Sequence, residues 1–238
     1  PAIYSLYPKR ADEWISYQVL MPQEKLYPDL IVVVADASNL KRNLLFCSQI
    51  IDLKMPVVVA LTMTDLAKKK GTHIDIPSLE RELGVPVVPI NPRKNKGIKE
   101  LKKTMERVVD AEVQAKPRDF IDVNVDNPES IKEVLLQIPH LSNYAALHYL
   151  INYQQLELAS PVKEKITQIL NEHEFNPTKT QAQEILQRYG RIRSIMQQAV
   201  VEDDPRKRSL INEKLDSILL HRVWGYVILL AVLFLLFQ

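Results

Sequence analysis

Glycine is scarce. The 238 residues hold only 5, about 2% where a globular chain usually has ~7%. They are Gly71, Gly84, Gly97, Gly190 and Gly225, and no two stand five apart. Neither a Gly-x-x-x-x-Gly-Lys-[Ser/Thr] phosphate loop nor a Gly-x-Gly-x-x-Gly dinucleotide loop can be built from them. Cysteine is scarcer still. Cys47 alone excludes an internal disulfide framework and a four-thiolate zinc site, and it suits the reducing cytosol. Charge of one sign is lacking as well: 31 Lys+Arg against 29 Asp+Glu leave a net +2, which argues against a dedicated nucleic-acid binder. The chain opens on Pro1, without an initiator Met or a basic-then-apolar leader. It closes on a nearly uninterrupted apolar stretch, so both ends read as cuts through a longer protein.

What is present is ordinary globular material, 46% hydrophobic and 25% charged, enough for one or two domains and too apolar for bulk disorder. Residues 29–115 alternate between strand and helix signals. Asp29-Leu-Ile-Val-Val-Val-Ala-Asp36, Pro56-Val-Val-Val-Ala-Leu61 and Pro86-Val-Val-Pro-Ile90 are short, β-branched runs of the kind buried on both faces of a parallel sheet. Between them, Leu40, Leu44, Cys47, Ile50 and Ile51 recur at helical spacing over 39–54. Further helices are expected over 77–83, stopped by Gly84, and over 98–113. Strands alternating with helices imply βαβ units with right-handed crossovers, half of a doubly wound α/β sheet.

Residues 117–128 contain two prolines and no helical period, and read as a linker. Beyond them no strand run occurs. Asn127-Pro128, Ser160-Pro161 and Asn176-Pro177 each put a capping side chain before a proline, a helix start that needs no N–H at its first position. Val162, Ile166, Ile169 and Leu170 share one face of the second helix. Ala182, Ile185, Leu186, Tyr189, Ile192, Ile195, Met196 and Ala199 share one face of the third. A helical domain is therefore expected over about 128–202. Residues 210–220 keep helical spacing, and Val223–Phe237 run fifteen residues without a charge, short of the ~20 that span a bilayer. Trp224 and Tyr226 sit where amphipathic rings favour the membrane boundary. Arg206, Lys207, Arg208, Lys214 and Arg222 would hold the preceding part cytoplasmic by the positive-inside rule, and the basic cluster would meet anionic headgroups. A buried core helix is the competing reading of the apolar stretch.

In open parallel sheets ligands bind beyond the carboxyl ends of the strands. Three segments lie there: 36–39, Thr62-Met-Thr-Asp65 and Asn91-Pro-Arg-Lys-Asn95. An ionised Asp has two acceptor oxygens that take both the N1–H and the 2-amino group of guanine, a donor pair adenine lacks. Asp65 also reads, from spacing alone, as the N-cap of the next helix. Among the five histidines no His-Glu-x-x-His or close pair occurs. Glu172-His173-Glu174 reads as a solvated helix end, Tyr144, Tyr149 and Tyr153 as packing and rim residues, and Cys47 as a small buried side chain. No metal ligand is assigned.

The whole pattern resembles the GTPase domain of the ferrous iron transport protein B (FeoB) family. The matching residues are Tyr4-Ser-Leu-Tyr-Pro8, Asp36-Ala-Ser-Asn-Leu-Lys-Arg-Asn-Leu44, Pro56 to Asp65, Ala67-Lys-Lys-Lys-Gly71, Pro86-Val-Val-Pro89 with Lys96-Gly97, and His221-Arg222 entering the apolar run. The resemblance implies a partial P-loop-NTPase-like parallel sheet, its C-terminal half, over 1–115. A linker follows over 116–127, then an all-α domain over 128–204 that modulates nucleotide release. A juxtamembrane helix over 205–222 and the start of a transmembrane helix over 223–238 complete the chain. It makes Thr62, Met63 and Asp65 the guanine-specificity motif, Asn91, Pro92 and Arg93 the segment that meets the base through backbone, and Pro1 and Ala2 the remnant of the phosphate-side loop.

The sequence departs from the family pattern at three of these positions. Thr62 stands for the usual Asn, Pro92 for an Ala whose N–H it removes, and Ala2 for the glycine that meets the γ-phosphate. The implied ligands are GTP/GDP with Mg²⁺ in the complete protein and Fe²⁺ as transported ion. The implied partners are the membrane and small cytosolic regulatory proteins, in a bacterial inner membrane with residues 1–222 cytoplasmic. No catalytic residue is assigned, because phosphate cradling and magnesium carry catalysis in such NTPases and neither loop is in the sequence. These 238 residues alone are accordingly expected neither to bind GTP tightly nor to hydrolyse it. The strand at 29–36 is expected to present a raw edge. A tail-anchored adaptor with a decayed nucleotide site is the alternative reading, favoured by the three departures.

Overall fold

The computed structural model of the chain describes residues 3–21, 28–110, 119–124, 127–202 and 233–237. Val57, Val59 and Leu61 point into one core, and Val58 and Ala60 into another on the opposite side, the period-2 alternation of a strand covered on both faces. This central strand, β2 (Val57–Thr62), pairs in parallel with β1 (Ile31–Asp36) and β4 (Val87–Pro89), in the order β1-β2-β4. Ile31 stands opposite Val57, and Val59 opposite Val87.

Burial on both faces, expected of all three strands, holds for β2 but not for β1. Val33 and Ala35 face the larger core, whereas Val34 is 63% exposed. The helix α5 (Ile98–Val109) covers β2 and β4 through Val108, Ile98 and Leu101 but leaves Val34 uncovered. In the described sheet β1 is thus an edge, as the family resemblance implied.

The expected helix over 39–54 is α2 (Leu40–Asp52), entered through a 3-10 turn at Ala37–Asn39. The next is α4 (Ile76–Leu83), closed by Gly84 in the left-handed region at φ 70°, where a side chain would be strained. α5 is described to Val109 rather than to 113. Four elements had no counterpart in the sequence reading. α1 (Ala11–Leu20) buries only Tyr17 and leaves Ile15 and Val19 exposed, so it has little apolar periodicity. α3 (Thr64–Lys69) spans under two turns, and β3 (Thr72–Ile74) pairs with β5 (Val200–Glu202) as a three-residue ribbon.

The helical part comprises α6 (Pro128–Gln137), α7 (Asn143–Asn152), α8 (Ser160–Glu172) and α9 (Pro177–Ala199). Asn176 caps α9, its side chain accepting from the Lys179 N–H. α8 is shifted by one: Ala159 is the N-cap, and Ser160 is the first helical residue without a capping bond. The face expected for α8 is the buried one, through Ile166 and Ile169. That expected for α9 is buried in its second half, through Ile192, Ile195 and Ala199, but not in its first. Leu186 is 72% exposed, and the buried face is Thr180, Glu184, Arg188, Ile192, Ile195 and Ala199. In the first half two charged residues, Glu184 and Arg188, take the core face while Ala182 and Leu186 are exposed.

Residues 1–201 form one compact unit, and the sheet and α6–α9 share a core. Part of the expected linker is tied into it. Phe120 and Val123 are buried, and the Asp52 carboxylate accepts from the Phe120 N–H at 2.6 Å and the Ile121 N–H at 3.4 Å. In the second unit, residues 202–238, residues 233–237 are helical and exposed. Among the described residues no helix is long and apolar enough to cross a membrane. The juxtamembrane helix expected over 205–222, and the apolar span over 223–238 apart from residues 233–237, lie outside the described residues.

Candidate functional site

The carboxyl ends of β1, β2 and β4 place three turns side by side. At the end of β1, the Asp36 carboxylate accepts from the Ser38 N–H at 2.8 Å and fixes the turn into α2. At the end of β2, the Thr62 hydroxyl donates to the Ala35 carbonyl at 3.2 Å, so it locks two strand ends together. Met63 follows with φ 56°, a left-handed conformation uncommon outside glycine. It turns the chain sharply and leaves its own side chain exposed.

Asp65 is then the second residue of α3, and Met63 is the N-cap, so capping by Asp65 is not realised. Its carboxylate is exposed and stays by the first turn. One oxygen accepts from the Leu66 N–H at 2.9 Å, and the other from the Asn91 side-chain amide at 3.3 Å. An acidic group there is favoured by the helix N-terminus. Asp65 therefore faces the end of β4.

At that end Asn91, Pro92 and Arg93 enter a 3-10 turn over 92–94. The Asn91 N–H donates to the Lys96 carbonyl at 2.9 Å, the Lys94 N–H to the Asn91 side chain at 3.2 Å, and the Asn95 N–H to the Pro92 carbonyl at 3.1 Å. Pro92 has no N–H. The Arg93 amide carries none of these bonds. Gly97 closes the turn at φ 77°, and a Cβ built on it would lie 2.2 Å from the Pro89 carbonyl oxygen. Thr62, Met63, Asp65, Asn91, Pro92 and Arg93, expected to act together, thus come from two adjacent strand ends, with the Asp65–Asn91 bond between them. Pro1 and Ala2, the expected phosphate-side remnant, lie outside the described residues.

A second cluster escaped sequence reasoning. Arg188 is fully buried on α9 and pairs with Asp52 of α2 at 2.8 Å and with Glu184 one turn earlier. Its guanidinium also lies 4.4 Å from the Tyr144 ring centre. Burial disfavours its charge, yet Tyr144, Glu184 and Asp52 more than compensate and raise its pKa further. Burial pushes the Asp52 carboxyl up, against the pull of Arg188, the Phe120 N–H and Lys54.

Beside this group His148 is enclosed by Tyr7, Tyr17 and Tyr144. Asn152 donates to the Tyr17 hydroxyl at 3.0 Å, and the same hydroxyl is hydrogen-bonded to His148 Nδ1 at 3.2 Å. Burial, with Arg188 nearby, lowers the imidazole pKa to about 3. The signal was visible only as Glu184 and Arg188 four apart, which ordinarily reads as a solvated helix pair.

Residues 1–105 match the family described as Ferrous iron transport protein B. The whole chain is 30% identical, over 253 residues, to the Fe(2+) transporter FeoB of Leptospira interrogans, and covers 35% of that protein. It is 29% identical, over 256 residues, to the Fe(2+) transport protein A/Fe(2+) transporter FeoB fusion protein of Porphyromonas gingivalis, again over 100% of this chain and 30% of the relative. Among solved structures, the mGMPPNP-bound NFeoB of S. thermophilus superposes with a TM-score of 0.65 at 24% identity, covering 86% of this chain and 79% of that one. That likeness is one of fold. The chain spans about a third of the length of the curated relatives it matches.

Proposed function

Since the chain belongs to the ferrous iron transport protein B family, we propose that it supplies the base-recognising part of the GTPase domain and the helical domain of an Fe²⁺ transporter. In this reading guanine nucleotide regulates iron uptake. Residues 1–115 contribute to the nucleotide domain and 128–204 modulate nucleotide release. The chain continues through a juxtamembrane helix over 205–222 to a first membrane span over 223–238, with residues 1–222 on the cytoplasmic side of a bacterial inner membrane.

The observation that carries the reading is the Asp65 carboxylate, exposed beyond the carboxyl end of a central parallel strand and facing the next strand end through Asn91. Two acceptor oxygens there match the N1–H and 2-amino donors of guanine. Asn91 has already committed its N–H to Lys96 and Pro92 offers none, so the guanine O6 falls to the Arg93 amide. Thr62 acts by joining β1 to β2 rather than by touching the base. GTP or GDP would be held with Mg²⁺ by parts of the protein other than these residues, and Fe²⁺ is the cargo. Its path is assigned to no residue of this chain. Coupling of nucleotide state to the helical domain has support in the buried Asp52–Arg188–Glu184 group that joins α2 to α9. The Porphyromonas fusion supports a small cytosolic regulatory partner of the Fe(2+) transport protein A kind.

The experiment is competition of GTP against ATP for the full-length parent, with and without Asp65→Ala. A hydrogen bond to a charged group is worth about 1.5–3 kcal/mol. The substitution is therefore expected to weaken GTP by about 10- to 100-fold while leaving ATP unchanged. Unchanged GTP binding would remove Asp65 from the site.

A further inference from the structure

Glu172 and His173 end α8, and taken along the chain they look like a solvated helix terminus. The fold brings Glu133 of α6, 40 residues before His173, against them. His173 Nε2 lies 3.0 Å from Glu133 Oε1. One ligand atom from each of Glu133, Glu172 and His173 falls within a mutual 4.8 Å. We infer that these three side chains bind a first-row divalent transition ion of the Fe²⁺ or Zn²⁺ class, bridging α6 to α8.

Electrostatics and geometry support this assignment. Two carboxylates this close repel, and a dication neutralises both. An imidazole nitrogen with two carboxylate oxygens suits Zn²⁺, Fe²⁺ and Mn²⁺, and is a poor set for Mg²⁺ or Ca²⁺, which prefer oxygen alone. Tetrahedral bonds of about 2.1 Å place ligand atoms about 3.4 Å apart, so rotation of the longest-spaced side chain closes the set.

His173 is itself fixed. Its backbone N–H donates to the Ile169 carbonyl at 3.1 Å, and Glu174 after it takes φ 47°, which ends the helix and turns Glu174 out of the group. Gln168, one turn before Glu172, donates to a Glu172 oxygen at 2.5 Å and orients it, as a supporting partner does for a metal ligand. Three protein ligands leave at least one coordination position for water.

The site is independent of the strand-end carboxylate, so its failure and that of the guanine reading are separable. The test titrates the metal-stripped 238-residue chain with Zn²⁺, and anaerobically with Fe²⁺, followed by calorimetry and by the thermal midpoint. Wild type is expected to take up one equivalent and to melt higher, because an ion that binds only the folded state stabilises it; Mg²⁺ is expected to do neither. Loss of an orienting partner costs about 10- to 100-fold in affinity, and loss of a ligand at least as much. Gln168→Ala should then weaken the site by about tenfold, and His173→Ala or Glu133→Gln by more than about 100-fold. All three positions are partly exposed, and metal-free melting of each variant monitors its fold. Equal binding by wild type and His173→Ala, or no saturable uptake by wild type, would overturn the assignment. Uptake shifted only by His73→Ala or His140→Ala would do the same.

Discussion

His148 is an imidazole that folding holds neutral. Three tyrosines and Arg188 surround it, and its pKa falls to about 3 from an unfolded value of ~6.5. Above that unfolded value neither state carries the proton, and the residue does not affect the balance. As pH falls from ~6.5 towards 3, the unfolded chain takes up a proton that the folded one refuses, so stability declines by about 1.4 kcal/mol per pH unit from this residue. Urea denaturation of wild type and His148→Gln at pH 7.5 and 5 checks it. The gap between the two should narrow at the lower pH, and a gap independent of pH would clear His148. The position was not legible beforehand: a histidine eight residues after His140 gave no hint of three rings contributed by α1, α7 and the segment before α1.

At the scale of elements, the turn from β4 into α5 depends on one residue without a side chain. Gly97 combines φ 77° with a Pro89 carbonyl oxygen 2.2 Å from where a Cβ would be. Neither the conformation nor the contact tolerates alanine. Gly97→Ala should destabilise the chain by more than about 1 kcal/mol and displace residues 91–96, since Asn91 and Lys96 pair across the same turn. Denaturation reads the first effect, and amide exchange of the Asn91 N–H the second. A variant with wild-type stability and protection would refute both. The three strands and α2, α4 and α5 were readable because valine runs, Pro and Gly punctuation and helical spacing agreed. The helix α1 was not, because its apolar residues Ile15 and Val19 face solvent. The first half of the α9 face departs from expectation for a related reason: hydrophobicity ranks Leu186 above Arg188, and only a carboxylate on another helix reverses that order.

For the whole compact unit of residues 1–201, Arg188 acts as the joint. It binds Asp52, which in turn holds the backbone of Phe120 and Ile121, while Arg191 donates to the Phe120 carbonyl beside it. One guanidinium thereby fastens α2, the 119–124 segment and α9. Removing one partner of such a buried group leaves uncompensated charge, at a cost of about 3–5 kcal/mol. Arg188→Met, which keeps most of the volume, should lower the unfolding free energy by that amount, and a loss below about 1 kcal/mol would show the joint to be dispensable.

The chain by itself determined the three parallel strands with α2, α4 and α5, the two strand ends that carry Asp65 and Asn91, and the family. Those features are written in runs of a few neighbouring residues, where steric preference and hydrophobic period act locally. Tertiary structure alone decided that Glu184 and Arg188 lie inside and that Glu133 meets His173. It also decided that Asp65 faces Asn91 rather than capping its helix. Each of these turns on a charge whose energy depends on a partner from a distant segment and on how much water folding leaves beside it.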